Sequence, residues 1–422
     1  VGSIRAKYPD LPIHVHSHDT AGIAVASMLA CAEAGADVID AAIDSMSGLT
    51  SQPSMGAIVS SLEQMELGTG ISHDSIQRLN LYWSEVRQLY QCFEQNVKAS
   101  DSSVFDHEMP GGQYTNLMFQ SQQLGLGSQW SEIKHAYMEA NMLCGDIVKV
   151  TPSSKVVGDL AQFMVANKLS ARDVEEHAST LDFPVSVVEF FQGFLGTPPG
   201  GFPEPLRTHI IRNKERVDTR RGASLPPLDF DKIKSDLTVK YRRPMSECDA
   251  VSWAMYPKVF EEFQAFIEEF GDLSRMPTRF FLGKPKAGEE MHIPIEDGKL
   301  LIVKLLGLGP FHEATGMRDV LFELNSSPRS ISVKDLSASV EEVHHEKATS
   351  EPGSVGSPLA GVVVELKVKE GDAVKPGDAM FVMSAMKMET IVSAQIAGKV
   401  TRVAVKQNDS LSQNDLLCEI TP

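Results

Sequence analysis

Apolar and polar positions change their period several times along the chain, and each change marks a predicted element. Residues 21–34 form an alanine-rich stretch with helical spacing, Gly35-Ala36 ends it, and Asp37-Val38-Ile39-Asp40 reads as a strand. Residues 53–63 predict a second helix with Pro53 in its first turn. This alternation of strand and helix fits a parallel α/β layer. Helical spacing then dominates residues 83–226, most clearly over 130–143, 154–167 and 184–195. Pro110-Gly111-Gly112 and Gly200-Gly201-Phe202-Pro203 read as tight turns between helices, because neither follows the strand, Gly-rich loop, helix order of a phosphate loop. From about residue 228 a helix over 250–270 precedes alternating segments at 291–295, 300–306, 320–325 and 330–333, with Asp297-Gly298 as a two-residue hairpin connection. Residues 350–357, rich in Ser, Pro and Gly, read as a hinge.

The last stretch repeats itself. Val364, Leu366 and Val368 alternate onto one face of a strand before the turn Glu370-Gly371-Asp372, and Val403 and Val405 do the same before Asn408-Asp409. At an offset of 37 residues Ala360 matches Ala397, Gly361 matches Gly398, Val363 matches Val400, Val368 matches Val405, Asp372 matches Asp409 and Asp378 matches Asp415. Residues 356–422 are therefore expected to form a small two-fold β-sandwich or flattened barrel, each half covering the other's apolar face. Between the copies lies Ala385-Met386-Lys387-Met388, which would put Lys387 on an exposed hairpin tip between two adaptable thioethers. Such a triplet alone is usually an ordinary surface turn; its place between two repeats is what singles it out.

Composition narrows the function classes. A chain of 422 residues exceeds one compact domain, and a formal charge of −17 without a basic stripe argues against a nucleic-acid or anionic-membrane partner. Cys31, Cys92, Cys144, Cys248 and Cys418 lack metal-site spacing and the density of a secreted scaffold, which points to a reducing compartment. No run of about 18 apolar residues occurs.

Two further stretches carry candidate chemistry. His14, His16 and His18 would share one face of an unbroken strand, a spacing suited to a transition metal, although histidines at a strand end are as readily hydrogen-bonding groups. Thr151-Pro152-Ser153-Ser154 places three hydroxyls before a helical run, which reads on composition alone as a helix cap.

The residues from 356 onward resemble a biotin carboxyl carrier domain, whose Ala-Met-Lys-Met signature carries biotin on its lysine, here Lys387; the related lipoyl domains place Asp-Lys-Ala there. The whole chain resembles the C-terminal part of the pyruvate carboxylase family. The resemblance runs in order through His16-Ser17-His18-Asp19-Thr20-Ala21-Gly22, Asp44-Ser45-Met46-Ser47-Gly48, Gln52-Pro53-Ser54-Met55-Gly56, Pro110-Gly111-Gly112-Gln113-Tyr114-Thr115-Asn116-Leu117, Lys149-Val150-Thr151-Pro152-Ser153-Ser154-Lys155 and Gly200-Gly201-Phe202-Pro203-Glu204-Pro205. It implies a multidomain α/β and β fold: the end of a (β/α)8 carboxyltransferase barrel at 1–82, its helical funnel at 83–227, a mixed α+β tetramerisation and allosteric domain at 228–341, a linker at 342–355 and the carrier at 356–422.

The same resemblance implies that His16 and His18 bind a divalent metal, Zn or Mn, with His14 outside the ligand set. It implies that Thr151 relays a proton between pyruvate's methyl group and the biotin ureido nitrogen, and that Ser154 and Lys155 lie near the carboxybiotin pocket. A further aspartate, a carbamylated lysine, a pyruvate-gripping arginine and an ATP- and Mg-dependent half would precede Val1, so the chain is expected to be a fragment, incompetent alone for the full reaction. The implied enzyme is a carbon–carbon ligase converting pyruvate to oxaloacetate in anaplerosis and gluconeogenesis. It would act as a homotetramer modified by a biotin protein ligase, in the mitochondrial matrix if animal-type and otherwise in the cytoplasm. A biotin-dependent oxaloacetate decarboxylase or transcarboxylase, or a non-catalytic carrier and assembly fragment, are the alternatives; Gln113-Tyr114-Thr115 and residues 228–341 favour pyruvate carboxylase.

Overall fold

The computed structural model describes every residue of the chain except 66, 96, 313–315, 336–344, 350, 352 and 386–387. Residues 1–88, 93–223 and 343–422 form one compact unit, and residues 89–92 and 224–342 form another.

The first unit opens with a short parallel pair, β1 (His14–Val15) and β2 (Val38–Ile39), joined by helix Ala24–Glu33. Helix Met55–Gln64 follows, and Met28, Ile58 and Leu62 interlock the two helices in a small core. Its cap is Ser54, whose hydroxyl accepts the Ala57 N–H at 3.1 Å, so Pro53 precedes the helix instead of sitting in its first turn. The histidine strand is shorter than the alternation suggests, ending at Val15, so His16 and His18 lie on the connection beyond it. Helix His73–Leu89 runs straight through the boundary expected at residue 82.

Beyond it, helices Gly111–Gln123, Trp130–Leu143, Ser153–Ala166, Val185–Gln192 and Leu206–Ile211 enclose the largest core, which includes Leu117, Tyr137, Phe163 and Phe191. Helix Ser153–Ala166 lies at the centre, buried on nearly every side from Val156 to Met164, as its all-round apolar character requires. The segment Pro110-Gly111-Gly112 is not a tight turn: Pro110 is the cap and Gly111 the first residue of a helix. Gly200-Gly201 does turn, with the Gly201 N–H donating to Pro198 O at 2.9 Å.

In the second unit, helices Phe230–Tyr241, Glu247–Met255 and Pro257–Phe270 meet at Leu237, Met245 and Phe260. The single helix expected over 250–270 is two helices because Pro257 has no N–H to continue the first; it serves as the first residue of the second. The strands β3 (Glu290–Glu296), β4 (Lys299–His312), β5 (Met317–Leu324) and β6 (Ser327–Lys334) follow as an antiparallel meander in sequence order. Asp297-Gly298 connects the paired Glu296 and Lys299, with Gly298 at φ +79° as such a turn needs.

The C-terminal segment consists of β7 (Ser354–Gly356), β8 (Gly361–Leu366), β9 (Ala373–Val374), β10 (Ala379–Ala385), β11 (Met388–Ser393), β12 (Gly398–Val403), β13 (Ser410–Leu411) and β14 (Leu416–Thr421). They make two four-stranded sheets, ordered β11-β10-β8-β13 and β7-β14-β12-β9, over one shared core including Val363, Phe381, Met383, Val400 and Leu417. The 37-residue offset carries β8 onto β12, β9 onto β13 and β10 onto β14, and it carries β7 onto the last three residues of β11. The repeated aspartates close equivalent turns: Asp372, Asp378, Asp409 and Asp415 each accept the backbone N–H three residues earlier, from Lys369, Lys375, Lys406 and Ser412.

Two expectations need correction here. Val364 is not on the core face, because it is the extra residue of a β-bulge between β8 and β10; the bulge shifts the alternation by one, so Val363 and Leu366 face inward. Thr401, its repeat mate, is the extra residue between β12 and β14. Nor do residues 354–357 belong to a free hinge, although 350 and 352 lie outside the described residues: β7 pairs with β14, and the Ser357 N–H donates to Asp415 O at 2.8 Å. The two-fold pattern demands β7 as the counterpart of β11, so the carrier begins before residue 356.

Phe381 is fully buried where the two sheets meet. Phe381→Ala should cost about 3–5 kcal/mol of local stability. Amide hydrogen exchange in β8, β10, β12 and β14 should accelerate accordingly; unchanged protection would contradict a shared core.

Candidate active site

The parallel pairing of β1 with β2 brings the histidines against the residue that follows β2. His14 Nε2 and His16 Nδ1 each lie 2.7 Å from one oxygen of Asp40, and these two imidazoles, His14 first, hold the Asp40 carboxyl below its ordinary range. His18 turns elsewhere, its Nδ1 donating to Thr50 O at 2.6 Å. A carbonyl only accepts, so His18 carries its proton on Nδ1 and leaves the Nε2 lone pair free; carboxylate Asp40 does the same for His16. The two rings meet edge to face with centroids 5.2 Å apart.

His16 and His18 line a cavity of about 380 Å³ together with Thr20, Phe105, Glu108 and Met109, whereas His14 does not line it. Both Nδ1 atoms are fixed by acceptors that orient a metal-ligating imidazole, so this pair fits a divalent metal. Among the described residues no group of three or more His, Cys, Asp or Glu side chains could hold one, so the pair would be part of a ligand set. Thr20 Oγ1 is buried in this wall without a hydrogen-bond partner.

Gly111 sets the distance between this segment and the helical region. A Cβ there would collide with both His18 Nδ1 and Thr50 O, the two atoms of the bond that orients the ring. Glycine at the first helical position is therefore a packing requirement.

Thr151 is exposed at the start of helix Ser153–Ala166, between Val150 and a cis Pro152, and is not among the residues lining the histidine cavity. The link is Glu108, which lines that cavity and pairs with Lys149 at 2.7 Å, two residues before Thr151. Lys149 holds the Glu108 carboxyl below its ordinary value. The hydroxyl groups do not cap the helix as composition suggests: Ser153 Oγ lies 2.6 Å from both Val148 O and Val150 O and shares its one O–H between them, which ties the loop that presents Thr151.

Ser154 is only 4% exposed, facing the core. Lys155 pairs with Asp159, whose carboxyl also accepts from Ser186 Oγ at 2.5 Å; burial pushes Asp159 up against the pull of Lys155. Lys155, Pro152 and Ser186 share a cavity of about 260 Å³ with Glu389 of β11. Lys387 lies outside the described residues, between the paired Ala385 and Met388. Asp40, Thr50, Glu108, Gly111 and Asp159 escaped the sequence reading. Only Asp40 left a signal, because it follows a strand parallel to the histidine strand and therefore lies at the same end of the sheet.

Two outcomes follow. Gly111→Ala should displace His18 and break its bond to Thr50, which nitrogen-detected NMR of the ring would report as loss of the Nδ1–H tautomer; an unchanged ring signal would contradict the packing. His107 is buried, its Nδ1 accepting from the Met109 N–H at 3.0 Å, and burial first, then the Lys134 charge, lowers its pKa to about 4. Unfolded, it titrates near ~6.5. As pH falls through that window the unfolded chain gains a proton the folded chain refuses, so stability should fall. Denaturant unfolding of His107→Gln should show a shallower loss of stability from pH 7 to 4.5 than the parent; parallel losses would contradict it.

A model described as "Conserved carboxylase domain" matches residues 104–304, and one described as "Biotin-requiring enzyme" matches residues 353–420. The chain is 54% identical over its full length to a pyruvate carboxylase of Aspergillus terreus and 48% identical to a mitochondrial pyruvate carboxylase of Mus musculus, covering 35% and 36% of those proteins. It thus spans about a third of the length of the curated relatives it matches. Among solved structures, the carboxyl transferase domain of Rhizobium etli pyruvate carboxylase superposes with a TM-score of 0.72 at 42% identity, over 80% of this chain and 56% of that one. The complete multifunctional enzyme of the same organism superposes with a TM-score of 0.71 at 38% identity, over 99% of this chain and 38% of that one. Carrying a carboxylase segment followed by a biotin domain, the chain belongs to the pyruvate carboxylase family and corresponds to its C-terminal part.

Proposed function

We propose that the chain supplies the biotin carrier and part of the carboxyltransferase site of an enzyme that carboxylates pyruvate to oxaloacetate. The observation that carries this reading is the cavity at Lys155: residues 104–223 of the carboxylase match lie in one compact unit with the biotin domain, and Glu389 of the carrier strand β11 lines the same cavity as Pro152 and Lys155. Solved relatives include the Rhizobium etli carboxyl transferase domain with pyruvate and biocytin.

Biotin linked to Lys387 would supply the carboxyl group to be transferred. A divalent metal on the Nε2 atoms of His16 and His18, completed by ligands from outside the described residues, would supply positive charge where pyruvate becomes an enolate. Asp40 and Thr50 hold those imidazoles in the required tautomer before any ligand arrives. Thr151 Oγ1 can accept a proton from pyruvate's methyl group as it donates its own to the ureido nitrogen, so it moves a proton without keeping a charge. The Ser153 bonds to Val148 O and Val150 O hold that hydroxyl's loop, and Asp159 holds Lys155 at the cavity rim. Ser154 would act through the helix start and not by direct contact, given its burial.

The first 82 residues would complete a (β/α)8 barrel with strands supplied from outside them, and 83–227 would form its funnel. The sheet β3–β6, in which no described residue is buried and which exposes Leu308 and Ile331, supports an assembly role for 228–341, as in a homotetramer. A biotin protein ligase would modify Lys387, and ATP with Mg would be used by a part of the enzyme outside this chain.

In the full-length enzyme, Thr151→Ala should lower carboxyl transfer to pyruvate by about 10²-fold or more, the usual worth of a positioned proton donor, and Thr151→Ser should restore most of it. Undiminished transfer in the alanine variant would contradict the relay.

A further inference from the structure

The loop that carries Thr151 has little apolar anchorage. Between the buried Ile147 and Ser154, the residues Val148, Val150, Thr151 and Pro152 are exposed, Val148 at 72% and Val150 at 59%. The Lys149 side chain instead turns inward and is only 9% exposed, and its Nζ meets Glu108 Oε2 at 2.7 Å. Within the loop the Ser154 N–H donates to Val150 O at 3.0 Å, and the Val150 N–H donates to Ser153 Oγ at 3.2 Å. Residues 148–154 are thus tied into one small unit, and a group that fixes Lys149 fixes Thr151 with it.

Glu108 is fixed from the other side. It ends the short helix Val104–His107 in the left-handed region, at φ +52° and ψ +30°, with its N–H donating to Val104 O at 2.7 Å. A residue other than glycine keeps that conformation only where its surroundings impose it, and such residues gather at functional sites. Its neighbours impose it here. His107 and Met109 are each 2% exposed, and Pro110 leads directly into Gly111, which is packed against His18 and Thr50. The backbone of Glu108 is therefore held in register with the His18 imidazole, while its side chain, 63% exposed, reaches the wall of the histidine cavity. The ion pair is asymmetric, a covered cation on an open carboxylate, so loss of Glu108 leaves the Lys149 charge stranded beneath the loop.

We infer that Glu108 and Lys149 form a strut that carries the position of the histidine pair to Thr151, which makes both of them positioning residues for carboxyl transfer. The inference deepens the proposed function and rests on its assignment of Thr151 as the proton relay. A relay hydroxyl has to stand within hydrogen-bond reach of the carbon that loses the proton and of the nitrogen that receives it. An exposed loop does not hold such a position by itself; an ion pair two residues away, anchored beside His18, does. In this role neither Glu108 nor Lys149 touches a reacting atom.

The test uses the full-length biotinylated enzyme. Glu108→Ala removes an exposed side chain, so the fold should hold, and kcat for pyruvate carboxylation should fall between about tenfold and about 10²-fold, the latter being the cost of a misplacement near ~1 Å. KM for pyruvate should stay the same, because the loss lies in the chemical step. Glu108→Gln, which keeps an acceptor for Lys149 without the charge, should fall between the parent and the alanine variant. Since the strut acts through Thr151, adding Glu108→Ala to Thr151→Ala should cost no more than Thr151→Ala alone. Amide hydrogen exchange over residues 148–154 should quicken in Glu108→Ala while the carrier strands β8 and β14 keep their protection. Unchanged exchange over 148–154, or losses that multiply in the double variant, would overturn the strut. Normal transfer by Thr151→Ala would refute the relay instead, and exchange over 148–154 would still decide whether Glu108 holds the loop.

Discussion

Neither half of the C-terminal repeat can bury its apolar residues alone, and that constraint fixes the carrier. Each half offers one face of Val, Met and Phe side chains, and only the pairing of two sheets across Val363, Phe381, Val400 and Leu417 removes both faces from water. Short strands such as β9 and β13 exist because the opposite half supplies their partners, β12 and β8. The long pair of β10 and β11 is anchored in this core through Phe381, Met383 and Val392. The same symmetry recruits β7, which turns what looks like linker into structure.

A second, smaller constraint governs the candidate active site. Two bonds, from His16 to Asp40 and from His18 to Thr50, decide which nitrogen of each imidazole faces the cavity, and the absence of a side chain at Gly111 leaves room for one of them. The histidine segment and the helical region are thereby packed as one surface, bridged again by Glu108 with Lys149. Orientation is built into the backbone and neighbouring acceptors, which is how a site keeps its geometry before substrate arrives.

Periodicity revealed most of the fold where one face is buried. Helix Trp130–Leu143 falls where its spacing places it, and the 37-residue offset locates three strand pairs and four aspartate turns. It missed features set by contacts distant in sequence. The bulge at Val364 reverses the alternation locally, Pro257 splits a helix whose apolar pattern runs on, and the strand at His14 ends after two residues because its only described partner, β2, is equally short. Single residues such as Thr50 and Gly111 act through a backbone carbonyl or a missing Cβ, neither of which leaves a compositional trace. The roles proposed for Thr151 and Lys387 rest on resemblance, since a threonine before proline and a lysine between methionines are chemically ordinary.

The account rests on Lys387 being the attachment point of a carboxyl carrier. Peptide mass mapping of the chain, produced beside an active biotin protein ligase, measures this most directly. Biotin should be found on Lys387 and on no other lysine; an unmodified Lys387, or biotin on a different lysine, would contradict it.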